Sequence, residues 1–125
     1  MKTLTLDAII YIHKQTIARH GGLDGIRDLS LIESSLETPF LTYLGEDLNK
    51  TDIDKISAIT YSLIKNHGFR DGNKRVGTIT MGVLCKMNGI HLKYTQQELI
   101  DFGLGVASGS MSKEDIKIWI ESHME

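Results

Sequence analysis

The sequence predicts an all-α fold of about six helices packed around a central one, and three observations carry that expectation. Ser/Thr residues followed three positions later by an acidic residue recur ahead of apolar runs spaced by three and four, the signature of capped amphipathic helices. There is one proline, Pro39, and the remaining punctuation is by glycine and Asn-Gly. Only Ile90, Leu92 and Tyr94 alternate as a strand does, enough for a brief extended connection.

Leu6, Ile9, Ile10 and Ile17 set a first helix over about 5–20, and Gly21-Gly22 ends it, because glycine tolerates the left-handed C-cap conformation. Ser30 with Glu33 is expected to form a capping box for a short second helix that Pro39 stops. Phe40 to Asn49 lacks helical periodicity and suits a loop or a small hairpin. Thr51 or Asp52 caps a third helix with Ile53, Ile56, Ile59, Leu63 and Ile64 on one face, ending near Asn66 or His67. A fourth begins near Gly72 with Val76, Ile79, Val83, Leu84 and Met87 inward, and Asn88-Gly89 terminates it. Gly77 and Gly82 inside this helix each cost on the order of 1 kcal/mol relative to alanine, which points to close helix approach in the middle of the fold. Thr95 with Glu98 caps a fifth helix, where Gly103, Gly105 and Ala107 suggest near contact. Ser112 with Asp115 caps a sixth, carrying Ile116, Trp119 and Ile120.

The 125 residues suit one domain over 1–125. A net charge of −2 and a pI near 6.2 argue against a general nucleic-acid binder, so any basic patch must be local. The single cysteine, Cys85, lies in an apolar periodic segment and is expected to be a buried, inert thiol in a reducing compartment. The N-terminal apolar stretch is broken by Asp7 and His13 and has no small-residue cleavage site. No segment approaches the ~20 apolar residues of a membrane span. The expected location is cytoplasmic.

Chemistry concentrates in His67-Gly68-Phe69-Arg70-Asp71-Gly72-Asn73-Lys74-Arg75. A helix N-terminus presents unpaired N–H groups and partial positive charge, so the start of the fourth helix favours an anion before side chains are counted. Lys74 and Arg75 add two charges. Gly72 allows close backbone approach to a phosphate, and Asn73 can offer amide hydrogens to its oxygens. Asp71 beside such a cradle would be repelled by phosphates unless a cation lay between, which makes it a candidate Mg²⁺ ligand. Histidine is the side chain that accepts a proton near neutral pH, so His67 suits a general base for a target hydroxyl. Phe69 is expected to pin the loop into the core. A Walker P-loop does not fit: Gly68 and Gly72 are too close, and Lys74 is followed by Arg75 rather than Ser or Thr. The five histidines show no zinc-binding spacing. His13 falls on the apolar face beside Ile9, Ile10 and Ile17; it is read as a core histidine and kept outside the catalytic set.

This segment resembles the Fic/Doc family motif: histidine, any residue, phenylalanine, any residue, an acid, glycine or alanine, asparagine, glycine or lysine, arginine. Every fixed position is filled, Arg70 lies in an open position, and Lys74 is the choice of Doc-like (death-on-curing) members of toxin-antitoxin systems. The His13 region with I-A-R-H-G-G-L-D-G-I-R-D, and G-V-A-S-G-S-M-S near the C-terminus, resemble the family less specifically. The resemblance implies a compact Fic fold with a central motif loop and helix. It also implies an ATP-using, Mg²⁺-dependent transferase with His67 as base, Asp71 on the metal, and Gly72, Asn73, Lys74 and Arg75 on phosphates. Lys74 in place of glycine, and Thr78 where many Fic adenylyltransferases carry a second arginine, favour transfer of the terminal phosphate over AMP transfer. The implied target is a hydroxyl of a translation component such as elongation factor Tu, with growth arrest as the result. The family's inhibitory helix reads Ser or Thr, three residues, Glu, then Gly or Asn; Thr42 to Glu46 is followed by Asp47, so restraint by a cognate antitoxin is implied instead. Adenylylation by the same loop, and a catalytically silent module that binds an anion or the antitoxin, are the competing readings.

Overall fold

The computed structural model describes residues 1–125 and is all-α apart from one minimal hairpin. Its helices are α1 (Leu6–His20), α2 (Leu29–Glu37), α3 (Asp52–Lys65), α4 (Asn73–Met87), α5 (Gln96–Ser108) and α6 (Lys113–Ser122). Between α2 and α3 lie a 3₁₀ turn over Thr38–Phe40 and an antiparallel pair, β1 (Thr42–Tyr43) and β2 (Glu46–Asp47). The extended connection at 90–94 pairs with the C-terminal tail: Lys93 N–H donates to His123 O at 2.8 Å and Glu125 N–H to His91 O at 2.9 Å.

Three helix starts carry reciprocal capping boxes: Thr51 with Asp54 on α3, Thr95 with Glu98 on α5, and Ser112 with Asp115 on α6. The Ser30–Glu33 box does not form. Asp28 caps α2 instead, its carboxylate accepting from Ser30 N–H at 3.0 Å. The reason is tertiary: Arg27 and Asp28 N–H both donate to Gly68 O, which holds Asp28 extended and starts the helix at Leu29. Pro39 does not act as a bare stop; it sits in the first turn of the 3₁₀ segment, where its missing N–H has no cost.

Helices α3 and α4 form the most extensive pair and run side by side through the centre. A Cβ on Gly77 would overlap Ile64 Cγ1 and lie 3.5 Å from Thr60 O, so this glycine sets the approach of the two helices. The expectation for Gly82 is corrected, since its nearest contact for a Cβ is Tyr94 Oη at 3.6 Å. Gly105 likewise accommodates Met111 of the following turn, whose Sδ would be 2.8 Å from a Cβ. The inward face of α4 is also shifted. Val76, Thr80 and Leu84 with Gly77, Met81 and Cys85 are the buried rows, whereas Ile79 and Val83 are 39% and 36% exposed. Contact of Gly77 with Ile64 fixes that rotational phase, and a polar Thr80 goes inside because its row does.

The core draws on all six helices, through Ile9, Ile32, Ile56, Ile59, Met81, Leu84, Phe102, Ile116 and Ile120. Each such side chain contributes roughly 1.5–3 kcal/mol on full burial. Trp119 packs on Phe102 with ring centroids 4.6 Å apart. Cys85 is buried, and burial pushes its thiol up to about 11, as suits an inert core residue. Lys117 pairs with Asp54 at 3.0 Å and links α6 to α3; Lys55 Nζ reaches Asp47 and Asn49 O and ties the hairpin to α3. No helix is long and apolar enough to cross a membrane.

The two interior glycines of α4 should respond oppositely to alanine. Gly77→Ala is expected to destabilise the fold by about 1–3 kcal/mol through overpacking against Ile64. Gly82→Ala should stabilise it by up to about 1 kcal/mol through helix propensity. Urea denaturation of both variants measures the difference, and equal effects would remove Gly77 from its packing role.

Candidate active site

The connection from α3 to α4 is built on backbone constraints rather than regular structure. Asn66 caps α3, and His67 follows at φ +51, a left-handed conformation that a side chain adopts at a cost of roughly 1–2 kcal/mol. Phe69 is buried, with its ring stacked on His13 at 3.9 Å between centroids and 7° between planes. Asn73, the first residue of α4, accepts from Phe69 N–H and donates to Phe69 O, both at 3.0 Å. His13 is itself buried, and its Nε2–H donates to Asp71 O at 2.9 Å, which fixes the tautomer and agrees with its reading as a core histidine.

Residues 22–28 clasp this loop from outside. Asp71 Oδ2 accepts from Leu23 N–H at 3.2 Å and Oδ1 from Gly72 N–H at 2.9 Å. A Cβ on Gly22, at φ +111, would sit 2.7 Å from Asp71 Oδ2, so close passage as well as helix termination requires glycine there. Arg70 N–H donates to Gly25 O, and Ile26 bridges to Phe69 as an isolated antiparallel pair. Arg27 Nε donates to His67 O at 2.6 Å and Nη2 to Asn66 O at 3.1 Å.

Against the loop and the start of α4 lies a cleft of about 490 Å³ lined by His67, Arg70, Asp71, Gly72, Asn73, Lys74 and Arg75. All six residues selected from the sequence as base, metal ligand or phosphate contacts therefore meet in one cavity. The sequence reading missed the opposite wall, formed by Leu99, Ile100, Gly103, Leu104 and Ala107 of α5. Its local signals were Gly103 and Ala107, expected as points of near contact; a Cβ on Gly103 would lie 3.0 Å from Lys74 Cγ and 3.3 Å from Thr78 Cγ2.

The electrostatics favour an anion. Side chains cap the other five helices, but the N-cap of α4 is Gly72, which has none to offer. The first bonded amide of α4 is Val76 N–H, to Gly72 O, which leaves the N–H groups of Asn73, Lys74 and Arg75 without an acceptor in the chain. Arg70, Lys74 and Arg75 are exposed and form no ion pair, while Asp71 is the one carboxylate on the cleft. The expectation for Asn73 changes in kind: both ends of its side-chain amide are bonded to Phe69, and its unpartnered backbone N–H is what it most directly presents to an anion. Thr78 faces the cleft with its hydroxyl donating to Arg75 O.

Residues 3–85 match the model of the family described as Fic/DOC. The chain is 28% identical over 118 residues to a protein named Protein kinase doc from Escherichia phage P1, covering 93% of this chain and 90% of that one. It is 33% identical over 72 residues to Toxin Doc from Mycolicibacterium smegmatis, covering 58% of this chain and 55% of that protein.

Asn73→Ala should leave the buried N–H and C=O of Phe69 unpaired, at about 1–3 kcal/mol for each group. Expected outcomes are lower stability in denaturant and faster hydrogen exchange of the Phe69 amide. An unchanged exchange rate would show that the loop holds its shape without this bracket.

Proposed function

The chain belongs to the Fic/Doc family, and from the cleft its motif builds we propose that it is a Doc-like toxin enzyme that transfers the terminal phosphate of ATP to a hydroxyl of a protein. One observation carries the reading: His67 shares a cleft with the uncapped start of α4 and with Lys74 and Arg75. A base therefore stands beside a polyanion site, which is the arrangement that positioning-dominated phosphoryl transfer requires.

In this mechanism the target hydroxyl loses its proton to the His67 imidazole as its oxygen bonds to the γ-phosphorus. The bond from that phosphorus to the bridging oxygen breaks, and ADP leaves with the electron pair. The amides of Asn73, Lys74 and Arg75, with the Lys74 and Arg75 side chains, stabilise the charge on the phosphates. Gly72 keeps that approach open. Asp71 fits a Mg²⁺ ligand because each carboxylate oxygen accepts only one backbone N–H and retains a lone pair, on a wall otherwise cationic. Bound there, Mg²⁺ supplies positive charge that offsets the phosphates.

Residues 1–125 act in this reading as one Fic/Doc domain in the cytoplasm, with a cognate antitoxin as partner. The half-exposed apolar wall of Ile100 and Leu104 on the cleft supports an antitoxin segment that folds into a groove. The protein target is a translation component such as elongation factor Tu, in keeping with a relative named as a protein kinase and another named as a toxin.

The test is incubation of a cell lysate with the protein and ATP labelled at either the γ- or the α-phosphate. Label from the γ-position alone should enter protein, and His67→Ala should reduce that transfer by about 10²- to 10⁴-fold with ATP affinity retained. Entry of the α-label alone would mean adenylylation, and entry of neither would mean a binding module.

Asp71→Asn should weaken Mg²⁺-dependent ATP binding, because the amide lacks the charge that suits a hard cation. Calorimetry with and without Mg²⁺ measures this. An equal metal enhancement in mutant and wild type would reduce Asp71 to a residue that only ties the loop to Leu23.

A further inference from the structure

Three successive carbonyls at the end of α3 accept hydrogen bonds from one residue forty positions away in the chain. Arg27 Nη2 donates to Asn66 O at 3.1 Å, Arg27 Nε to His67 O at 2.6 Å, and Arg27 N–H to Gly68 O at 2.8 Å. Both the root and the head of this side chain are thus fixed to the peptide groups that flank His67. The guanidinium also lies at the negative end of the α3 dipole, where carbonyls lack helical partners and a cation is favoured.

His67 occupies the first position beyond the cap of α3, where a left-handed residue is usually glycine. Here the glycine comes one residue later, at Gly68, and is required there because a Cβ would overlap Ile32 Cγ1. The left-handed position is left to a residue with a Cβ, at φ +51, and the imidazole borders the cleft. The His67 side chain makes no hydrogen bond of its own, so its direction is set through its backbone. Arg27 does not line the cleft.

We infer that Arg27 is a positioning residue: its guanidinium holds the His67 backbone in the left-handed conformation that presents the imidazole to the cleft. It acts through His67 and touches no substrate. Its effect on turnover rests on the phosphate-transfer reading, whereas its effect on His67 conformation does not. Losing the clamp should therefore slow the chemical step and leave nucleotide binding intact, because the anion cradle at the start of α4 is built by other residues.

The experiment compares Arg27→Ala and Arg27→Lys with wild type by three readouts: kcat for γ-phosphate transfer, ATP affinity by calorimetry, and the backbone carbon shifts of selectively labelled His67. Arg27→Ala should lower kcat by about 10²-fold, the scale of a misplaced reacting group, with ATP affinity unchanged. The His67 shifts should move away from left-handed values. Arg27→Lys, which can reach one carbonyl but not fork across two, should recover part of kcat. Wild-type His67 shifts in Arg27→Ala, or ATP affinity that falls in step with kcat, would overturn the inference. If Arg27→Ala fails to fold, Arg27→Lys decides: wild-type kcat and shifts in that variant would overturn it, and intermediate values would support it. Should wild-type protein transfer neither phosphate nor AMP, the functional reading fails while the His67 shifts still judge the clamp.

Discussion

The pair of hydrogen bonds between the Asn73 amide and the Phe69 backbone is the constraint on which the site depends. It closes the chain over four residues, so the end of α3 and the start of α4 are held at one fixed separation. A buried asparagine is costly unless both its donor and its acceptor are used, and the backbone N–H and C=O of one residue, Phe69, use both here. The stacked His13 and Phe69 rings seat that residue in the core, and the polar side chains on either side of Phe69 are left at the surface. Exposure of His67, Asp71, Lys74 and Arg75 is thus a result of burying Phe69 and Asn73 between them.

The charge arrangement follows a division of labour among helix starts. Acids serve as caps elsewhere: Asp28 on α2, Asp54 on α3, Glu98 on α5 and Asp115 on α6. Bonding lowers several of these carboxyls below their usual range. Glu98 is held down first by the Thr95 N–H and then by His123, and in Asp54 bonds from Lys117 and Thr51 outweigh a burial penalty that pushes the other way. Thr5 caps α1, with Asp7 in its first turn, so only α4 begins with neither a capping side chain nor an acid, and two cations follow. A protein with net charge −2 therefore presents a local field of the opposite sign at its cleft.

What the sequence made legible is local. Thr51, Thr95 and Ser112 cap their helices as the spacing implies, and the residues singled out in the nine-residue motif line one cleft because they are neighbours in the chain at the start of α4. What it did not show depends on contacts between distant segments. Ser30 and Glu33 match a capping box, yet the bonds that Arg27 and Asp28 N–H donate to Gly68 O start the helix elsewhere. Ile79 and Val83 fit an apolar period, but Gly77 against Ile64 fixes which rows of α4 are buried. Asn73 suggests a ligand contact until its side chain is found bonded to Phe69. The α5 wall lies about thirty residues beyond the motif, and nothing in helical spacing says which face of α5 meets it.

The clasp at 22–28 also bears on how such a site can be inherited or transplanted. Leu23, Gly25, Arg27 and Asp28 bond to Asp71, Arg70, His67 and Gly68, and His13 bonds to Asp71 from the first helix. The nine-residue motif is consequently no cassette: grafted between two helices of another scaffold, it would bring the side chains without the outer strand of contacts that shapes them. With the opposite wall supplied by α5, a portable unit has to run at least from α1 through α5, and a change in the turn after α1 is as much a change to the site as one inside the motif.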